Sequence, residues 1–290
     1  MRIFLTGASG FVGSAVLKEL VGAGHAVVGL ARSDKAAKAV ADAGAEVHRG
    51  DLEDLASLRA GAATCDAVIH TGFIHDFTNY KKYCELDREV IAALGSAGKR
   101  VVVTSALGVL PQGVDTNEAT APSGKNPRTT SEEAAHLLGD RATSIRLPPS
   151  THGAGDYQFV RTLIDIARAK GVAAYRASND NTWPAVHRLD AARLYRLAVE
   201  APEVAPIYHA VAEEAVSFRA IAEVIGRKLG VPAVAMNADE AAAHFGSFAY
   251  FAAMDLRASS TTTQAALGWT PRETGLLADI EASYFSAAGA

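Results

Sequence analysis

The sequence is poor in cysteine, in net charge and in long apolar runs, and each shortage excludes a class of protein. Cys65 and Cys84 are the only cysteines among 290 residues, too few for a disulfide framework and typical of reduced thiols in a cytoplasmic protein. A net charge of −4 gives no electrostatic basis for a nucleic-acid or membrane partner. No apolar run approaches the ~20 residues that are needed to cross a bilayer. The first apolar run of the chain, which ends before Thr6 and Gly7, is too short for the hydrophobic region of a signal peptide. We therefore expect a cytoplasmic protein with a small-molecule partner and no bound metal.

The chain does have a regular alternation of strand-like and helix-like segments in its first half. The strand Ile3–Thr6 precedes a helix at Val12–Ala23, and the alternation continues to a strand at Thr143–Leu147. The strands are nearly continuous apolar runs, as expected when both faces of a sheet are covered. This pattern predicts an α/β fold with a Rossmann-like doubly wound parallel sheet.

The segment TGASGFVG, residues 6–13, lies where the first strand ends and the first helix begins. Gly7 permits a tight turn, Gly10 lets backbone N–H groups approach a pyrophosphate, and Gly13 allows close packing of helix on strand. The helix N-terminus adds unpaired N–H donors and a positive dipole end. We predict a dinucleotide-binding loop, with an ordinary strand-to-helix turn as the alternative. The predicted cofactor contacts here are Thr6, Gly7, Ser9, Gly10, Phe11, Val12 and Gly13.

The end of the second strand indicates which dinucleotide would bind. A carboxylate there binds the ribose 2′-OH of NAD, whereas an arginine accommodates the 2′-phosphate of NADP. Arg32 and Ser33 occupy this position, and Asp34 follows. We predict NADP(H), with contacts from Arg32 and Ser33. The alternative is NAD(H), with Arg32 solvated on the surface and Asp34 on the ribose.

Beyond the glycine motif, four stretches follow a known pattern: GDLED (50–54), VVVTSALGV (101–109), IRLPPSTHGAGD (145–156) and WPAVHRLDAARL (183–194). Together with the motif they resemble the short-chain dehydrogenase/reductase superfamily, in its extended or atypical branch of epimerase/dehydratase-like proteins. That branch includes nucleotide-sugar epimerases and dehydratases, carbonyl reductases and steroid-type dehydrogenases. The resemblance covers essentially the whole chain.

The resemblance implies roles for residues at the ends of the strands. Asp51 and Leu52 would contact the adenine, and Pro148 would lie beside the nicotinamide. The loop after the fourth strand, in DAVIHTGF (66–73), would line the inner ribose and nicotinamide with Thr71, Gly72 and Phe73. Ser105 would be the family's active-site serine. The substrate contacts that we expect are Phe73, His75, Ser105 and Trp183.

The sequence pattern changes after Pro148 and Pro149, where the predicted secondary-structure elements become shorter and less regular. Residues 1–150 are expected to form the dinucleotide-binding domain, with returning segments near 183–200. Residues 151–290 are expected to form mainly a smaller, interleaved substrate-binding domain.

One pair of residues that the family uses for proton transfer is missing. Its members carry Tyr-x-x-x-Lys, but no tyrosine occurs between Tyr83 and Tyr157, and by spacing Arg128 and Glu132 take the two positions. Arginine can polarise a carbonyl oxygen but is too basic to donate the proton. The catalytic candidates that remain are Ser105, Tyr157, His152 and Arg128.

These observations predict an NADP(H)-dependent oxidoreductase of the carbonyl reductase or alcohol dehydrogenase type, with an atypical active site and a small to medium, partly apolar substrate. A second interpretation is an NADP(H)-binding sensor or regulatory protein without turnover, which the loss of the Tyr and Lys would fit. A third is a nucleotide-sugar epimerase or dehydratase, which Arg32 and the missing tyrosine disfavour. The resemblance also implies a homodimer.

Overall fold

A computed structural model describes residues 1–177 and 180–285 of the chain. Within these ranges the strands are β1 Arg2–Thr6, β2 Ala26–Ala31, β3 Glu46–Arg49, β4 Ala67–His70, β5 Arg100–Ala106, β6 Asp115–Thr116, β7 Ala142–Leu147, β8 Ser150–His152, β9 Ala173–Arg176, β10 Thr182–His187, β11 Ile207–His209, β12 Glu213–Ser217, β13 Ala233–Met236 and β14 Arg257–Ala258. The helices are α1 Phe11–Gly22, α2 Asp34–Asp42, α3 Leu55–Ala63, α4 Tyr80–Gly95, α5 Thr129–His136, α6 Phe159–Lys170, α7 Arg188–Glu200, α8 Phe218–Leu229, α9 Ala238–Phe245, α10 Ala249–Ala252, α11 Thr261–Leu267 and α12 Leu276–Ser283.

Seven strands form one parallel sheet in the order β11-β7-β5-β4-β1-β2-β3. Strand β1 lies inside the sheet between β4 and β2, where Ile3 pairs in register with Val27 of β2 and with Ala67 of β4. The chain order reverses at β1, and in open parallel sheets ligands bind at the carboxyl ends of the strands near such a reversal. The predicted doubly wound α/β fold is confirmed.

The two faces of the sheet bury different helices. Ile3 and Leu5 of β1 pack in a core that contains α1 and α7, while Phe4 between them packs with α3 and α4. Successive side chains of a strand point to opposite faces, so one apolar run serves both cores. This explains why the strands appear in the sequence as continuous rather than alternating apolar segments.

A third core lies beside the carboxyl ends of the strands and contains side chains of α6, α8, α9 and α12. Three small sheets, β12-β10-β8, β13-β9 and β14-β6, accompany it. Strand β10 and helix α7 link this part to the large sheet, since Trp183 packs in the third core whereas Val186 packs with α1. The domain division at residue 150 stays a prediction.

Several predicted elements differ from the observed ones in their bounds. The apolar spacing predicts a helix at Leu52–Ala60, but α3 begins at Leu55 because the carboxylate of Asp54 accepts a hydrogen bond from the Ser57 N–H at 3.0 Å. Most short strands after residue 150 were not expected from the pattern. No helix in the described residues is long and apolar enough to cross a membrane.

Candidate functional site

A cleft of about 580 Å³ runs along the carboxyl edge of the large sheet. Its floor is formed by the segments that follow β1, β2, β3 and β4 and by the last residues of β5 and β7. The predicted cofactor residues that line it are Gly7, Ser9, Gly10, Phe11, Val12, Gly13, Arg32, Ser33, Asp51, Leu52, Thr71, Gly72, Phe73, Ser105 and Pro148. Thr6 does not line it but lies fully buried at the end of β1.

The three glycines of the first turn are held by different constraints. Gly7 has φ +70°, and a Cβ there would lie 2.7 Å from the Gly72 nitrogen. At Gly13 a Cβ would lie 2.0 Å from the Gly7 oxygen, so the start of α1 could not approach β1. At Gly10 a Cβ would meet only that same oxygen, at 3.1 Å. The protein's own packing therefore requires Gly7 and Gly13, whereas Gly10 leaves open the space in front of the α1 N-terminus, which fits a pyrophosphate.

The carboxyl end of β2 presents one charged group to the cleft. Arg32 is 77% exposed, and its guanidinium lies 3.6 Å from the Asp51 carboxylate. Ser33 caps helix α2, since its hydroxyl accepts a hydrogen bond from the Ala36 N–H at 3.2 Å. Asp34 does not line the cleft; its exposed carboxylate pairs with Arg49 at 2.5 Å. The end of β2 therefore presents a guanidinium rather than a carboxylate to the cleft, with the Asp51 carboxylate beside it.

A series of buried hydrogen bonds connects β1, β4 and α4 beneath the cleft. The Thr6 hydroxyl lies 2.6 Å from His70 Nδ1, and His70 Nε2 lies 2.9 Å from the Asp87 carboxylate. A carboxylate only accepts, so His70 Nε2 donates to Asp87; in the neutral imidazole Nδ1 then accepts from the Thr6 hydroxyl. Burial alone would raise the pKa of Asp87, but the charge of Arg128 and the hydrogen bond from His70 outweigh it and hold that pKa well below its usual range.

Arg128, at the family's tyrosine position, lies in the cleft wall and is held from several directions. Its guanidinium is 4.0 Å from the centre of the Phe73 ring and 2.5 Å from the Asp87 carboxylate. It also donates to the Thr104 carbonyl at 2.9 Å and to the Ser131 hydroxyl. The side chain is buried, and Nε has no partner among the described residues. Arg128 is therefore a buried, fixed cation in the cleft wall.

Glu132, at the family's lysine position, lies beneath Ser105 and forms a buried ion pair. Its carboxylate accepts from Arg146 Nε at 2.8 Å and from Nη2 at 2.7 Å. The Ser105 hydroxyl donates to the same carboxylate at 2.6 Å. Both residues expected of the family are thus replaced by charged residues that are paired inside the protein.

The far end of the cleft is aromatic. Phe73, Phe77, Tyr80, Phe159, Tyr250 and Phe251 line it, together with Met254. His75 also lies there, with its ring edge against Phe73 at 5.0 Å between centroids. Loss of solvation within the cleft and the charge of Arg128 lower the pKa of His75, so its imidazole is neutral at pH 7. This end suits an apolar or aromatic substrate body.

The other predicted site residues have different positions. Tyr157 lines the cleft on its rim, 64% exposed, with its ring 6.3 Å from that of Phe11. His152 is buried outside the lining, where Nδ1 lies 2.7 Å from the Asp279 carboxylate. Trp183 is fully buried and packs against Phe218 at 5.0 Å between ring centroids. The structure thus places the catalytic candidate His152 and the expected substrate contact Trp183 outside the cleft lining.

The sequence interpretation missed three residues of the site. Tyr80 lines the cleft, and its hydroxyl donates to the Asn126 amide oxygen at 3.4 Å. Burial raises the pKa of Tyr80, which makes it a poor acid at pH 7. Tyr80 and Asn126 could have been found as polar residues in the connections that follow two strands: Tyr80 is the first residue of α4, after β4, and Asn126 lies in the loop between β6 and α5. Asp87 had no such signal, because nothing in the pattern of α4 marks it as buried.

Comparison with known proteins agrees with this geometry. A family model described as NAD(P)H-binding matches residues 7–138. An uncharacterized protein of Schizosaccharomyces pombe is 44% identical over 98% of this chain and 100% of its own length. A farnesyl-dihydroquinoline-1-oxide ketoreductase of Stigmatella aurantiaca is 32% identical over 59% of this chain and 56% of its own length.

A solved structure of similar fold is that of a short-chain dehydrogenase/reductase superfamily protein from Agrobacterium tumefaciens with bound NAD. It superposes with a TM-score of 0.72, at 18% identity, over 97% of this chain and 95% of its own. The chain therefore contains an NAD(P)H-binding domain. Its fold is shared with structures of the short-chain dehydrogenase/reductase superfamily, which is consistent with the predicted epimerase/dehydratase-like branch.

Proposed function

We propose that this protein is an NADP(H)-dependent oxidoreductase that acts on the carbonyl/alcohol pair of a small to medium, partly apolar substrate. The observation that carries the proposal is the continuity of the cleft. It runs from the glycine loop along the strand ends to an aromatic end, with Ser105 and Arg128 between them. The ketoreductase named above, which covers part of the chain, supports the same reaction class.

The residues present fit a dinucleotide. The α1 N-terminus at Gly10 and Phe11 would hold the pyrophosphate, and Arg32 would bind the 2′-phosphate of NADP, since a guanidinium matches phosphate geometry. Asp51 would lie near the adenosine end, and Pro148 near the nicotinamide. The cofactor, when bound, supplies or accepts a hydride at the substrate carbon.

The remaining tasks belong to the protein's own side chains. Arg128 would donate a hydrogen bond to the substrate oxygen and stabilise negative charge that develops on it, because its position is fixed by Asp87 and by the Phe73 ring. Phe73 and Phe251 would exclude water from the substrate body. The guanidinium cannot itself release a proton, so proton exchange falls to another group or to water.

The test uses NADPH deuterated at nicotinamide C4, each face separately, against a panel of aldehydes and ketones, with mass spectrometry of the products. Deuterium in a product from one face only supports a stereospecific reductase. Gly10→Ala is the matched control, because it should block the pyrophosphate site while the protein still folds. Equal deuterium transfer by wild type and Gly10→Ala would contradict our placement of the cofactor.

A second candidate function is a cofactor-binding sensor without turnover. The specific observation in its favour is that both positions of the family's Tyr-x-x-x-Lys pair carry residues engaged in buried ion pairs, Arg128 with Asp87 and Glu132 with Arg146. Bound NADPH with no deuterium transfer to any member of the panel would favour the sensor. Bound NAD that is retained through purification would instead favour an epimerase or dehydratase.

A further inference from the structure

The Ser105 hydroxyl has an unusual hydrogen-bond polarity for a group in a cleft that would bind a carbonyl: its proton points into the protein, and its lone pairs remain for a ligand. Ser105 lies at the carboxyl end of β5 and borders the cleft. Its Oγ is 2.6 Å from Oε1 of Glu132, to which it donates. A hydroxyl has one hydrogen and two lone pairs. Because that hydrogen is directed to Glu132, the oxygen presents only acceptor lone pairs to a ligand.

The ion pair beneath Ser105 fixes this polarity. Arg146 directs two N–H donors to the Glu132 carboxylate, and both side chains are buried. A third donor of Arg146 bonds to the Thr120 carbonyl at 3.0 Å, so the guanidinium cannot easily turn away. Protonation of Glu132 would leave the Arg146 charge buried without a counter-ion, which is strongly unfavourable. The Glu132 carboxylate is thus held as the acceptor of the Arg146 and Ser105 hydrogen bonds.

The donor in this part of the cleft is Arg128. Its Nη2 bonds to the carbonyl of Thr104, the residue before Ser105, so the two groups lie beside the same strand end. A guanidinium has only donors. The cleft thus presents a donor at Arg128 and an acceptor at Ser105.

We propose that Ser105 accepts a hydrogen bond from a hydroxyl group of the substrate, and that Glu132 is the positioning residue that sets this polarity. The cleft then recognises the alcohol member of an alcohol/carbonyl pair at Ser105, while a carbonyl or alkoxide oxygen is bound by Arg128. The choice of an alcohol as ligand rests on the proposed function. The polarity of Ser105 does not, because it follows from contacts within the protein.

The first experiment reads the polarity without any ligand. The full-length protein is labelled with glutamate carrying ¹³C at the side-chain carboxyl, and the Glu132 signal is assigned by its loss in Glu132→Asp, or in Glu132→Gln if the aspartate variant does not fold. At pH 7 we expect the shift of an ionised carboxylate, displaced in Ser105→Ala but not in the surface control Ser96→Ala. A protonated Glu132, or a signal indifferent to Ser105→Ala, would overturn the proposal.

The second experiment measures binding of 1-phenylethanol and acetophenone by ligand-observed NMR. One hydrogen bond of ordinary net strength corresponds to about a fivefold change in Kd. We expect Ser105→Ala to raise the Kd for 1-phenylethanol by about that factor and the Kd for acetophenone by less than about twofold. If Ser105→Ala instead weakened the binding of acetophenone more than that of 1-phenylethanol, Ser105 would donate to a carbonyl, and the proposal would be overturned. If neither probe binds wild type, the proposed function loses support for this substrate class, while the carboxylate signal still decides the polarity.

Discussion

Arg32 extends its guanidinium into solvent at the carboxyl end of β2, and its one ion pair among the described residues is with Asp51, at 3.6 Å. Exposed ion pairs of this kind contribute little free energy. The guanidinium can therefore leave Asp51 for a phosphate at small cost, and a phosphate offers it two parallel hydrogen bonds.

We predict that Arg32→Glu weakens the binding of NADPH but not that of NADH. The new carboxylate would repel the 2′-phosphate, so the Kd for NADPH should rise by at least about tenfold, equivalent to about 1.4 kcal/mol, while the Kd for NADH changes little. Isothermal titration of both cofactors measures this, with the exposed Arg59→Glu as control. Equal losses for NADH and NADPH would contradict the assignment of Arg32 to the 2′-phosphate.

Arg128 and Asp87 illustrate a second consequence at the residue scale, because each neutralises the other inside the protein. We predict that Arg128→Met lowers the free energy of unfolding by about 3 kcal/mol, since it leaves the buried Asp87 carboxylate without the guanidinium that neutralises it. Adding Asp87→Asn should restore part of that loss. Urea unfolding of both variants measures it. An Arg128→Met effect no larger than that of the surface substitution Arg59→Met would refute the structural role of the pair.

At the scale of the element, helix α1 is placed by its contact with the turn that precedes it. Gly13 and Gly22 are both in this helix, but only Gly13 faces backbone atoms: a Cβ there would lie 2.0 Å from the Gly7 oxygen, whereas one at Gly22 would meet nothing within 4 Å. The helix can adjust to an added methyl at one position and not at the other.

We predict that Gly13→Ala is strongly destabilising, by about 3 kcal/mol or more, as overpacking against rigid backbone requires. Gly22→Ala should be neutral or stabilising by up to about 1 kcal/mol, because alanine is the better helix former. Thermal unfolding of the two variants measures the contrast. Similar melting temperatures for both would mean that α1 does not pack as described.

A substitution at Gly10, just before α1, should change cofactor binding with little effect on stability. The added methyl of Gly10→Ala would approach only the Gly7 oxygen, at 3.1 Å, so we expect a change in unfolding free energy below about 1 kcal/mol. The same methyl would occupy the space in front of the α1 N-terminus, and NADPH affinity should fall by about tenfold or more. Titration with NADPH and thermal unfolding test the two parts together. Unchanged affinity would place the pyrophosphate elsewhere.

At the scale of the whole molecule, His209 joins the large sheet to the segment before α11. It is fully buried on β11, its Nδ1 donates to the Ser259 carbonyl at 2.8 Å, and its Nε2 accepts from Arg146 at 3.2 Å. Burial lowers the pKa of His209, and the charge of Arg146 lowers it further. A proton on Nε2 would also remove the acceptor that Arg146 uses.

We therefore predict that acid destabilises the protein. The unfolded chain binds a proton at this histidine below its ordinary pKa of about 6.5 whereas the folded chain does not, so stability is lost as pH falls below that value. The loss attributable to His209 between pH 7 and pH 5 should be on the order of 2 kcal/mol. His209→Asn keeps a donor for Ser259 and should flatten the pH dependence of urea unfolding, unlike the exposed His136→Asn. An unchanged slope would contradict this.

The sequence by itself determined the fold class and the cofactor end of the site. Apolar runs, helical spacing and the glycines of residues 6–13 are local signals, because a strand, a helix or a tight turn constrains residues that are neighbours in the chain. They were sufficient to predict β1 and α1 to within one residue of their observed bounds. They also predicted that Arg32 lies at the end of β2.

The tertiary structure alone decided which charges are paired and what the substrate end contains. Asp87 meets Arg128, and Glu132 meets Arg146, across distances in the chain that no periodicity records. His152 and Trp183 have the residue types of a site but lie buried outside the cleft. The physical reason is that hydrogen bonds and burial depend on positions in space, and residues far apart in sequence come together only when the sheet, its helices and the third core are assembled.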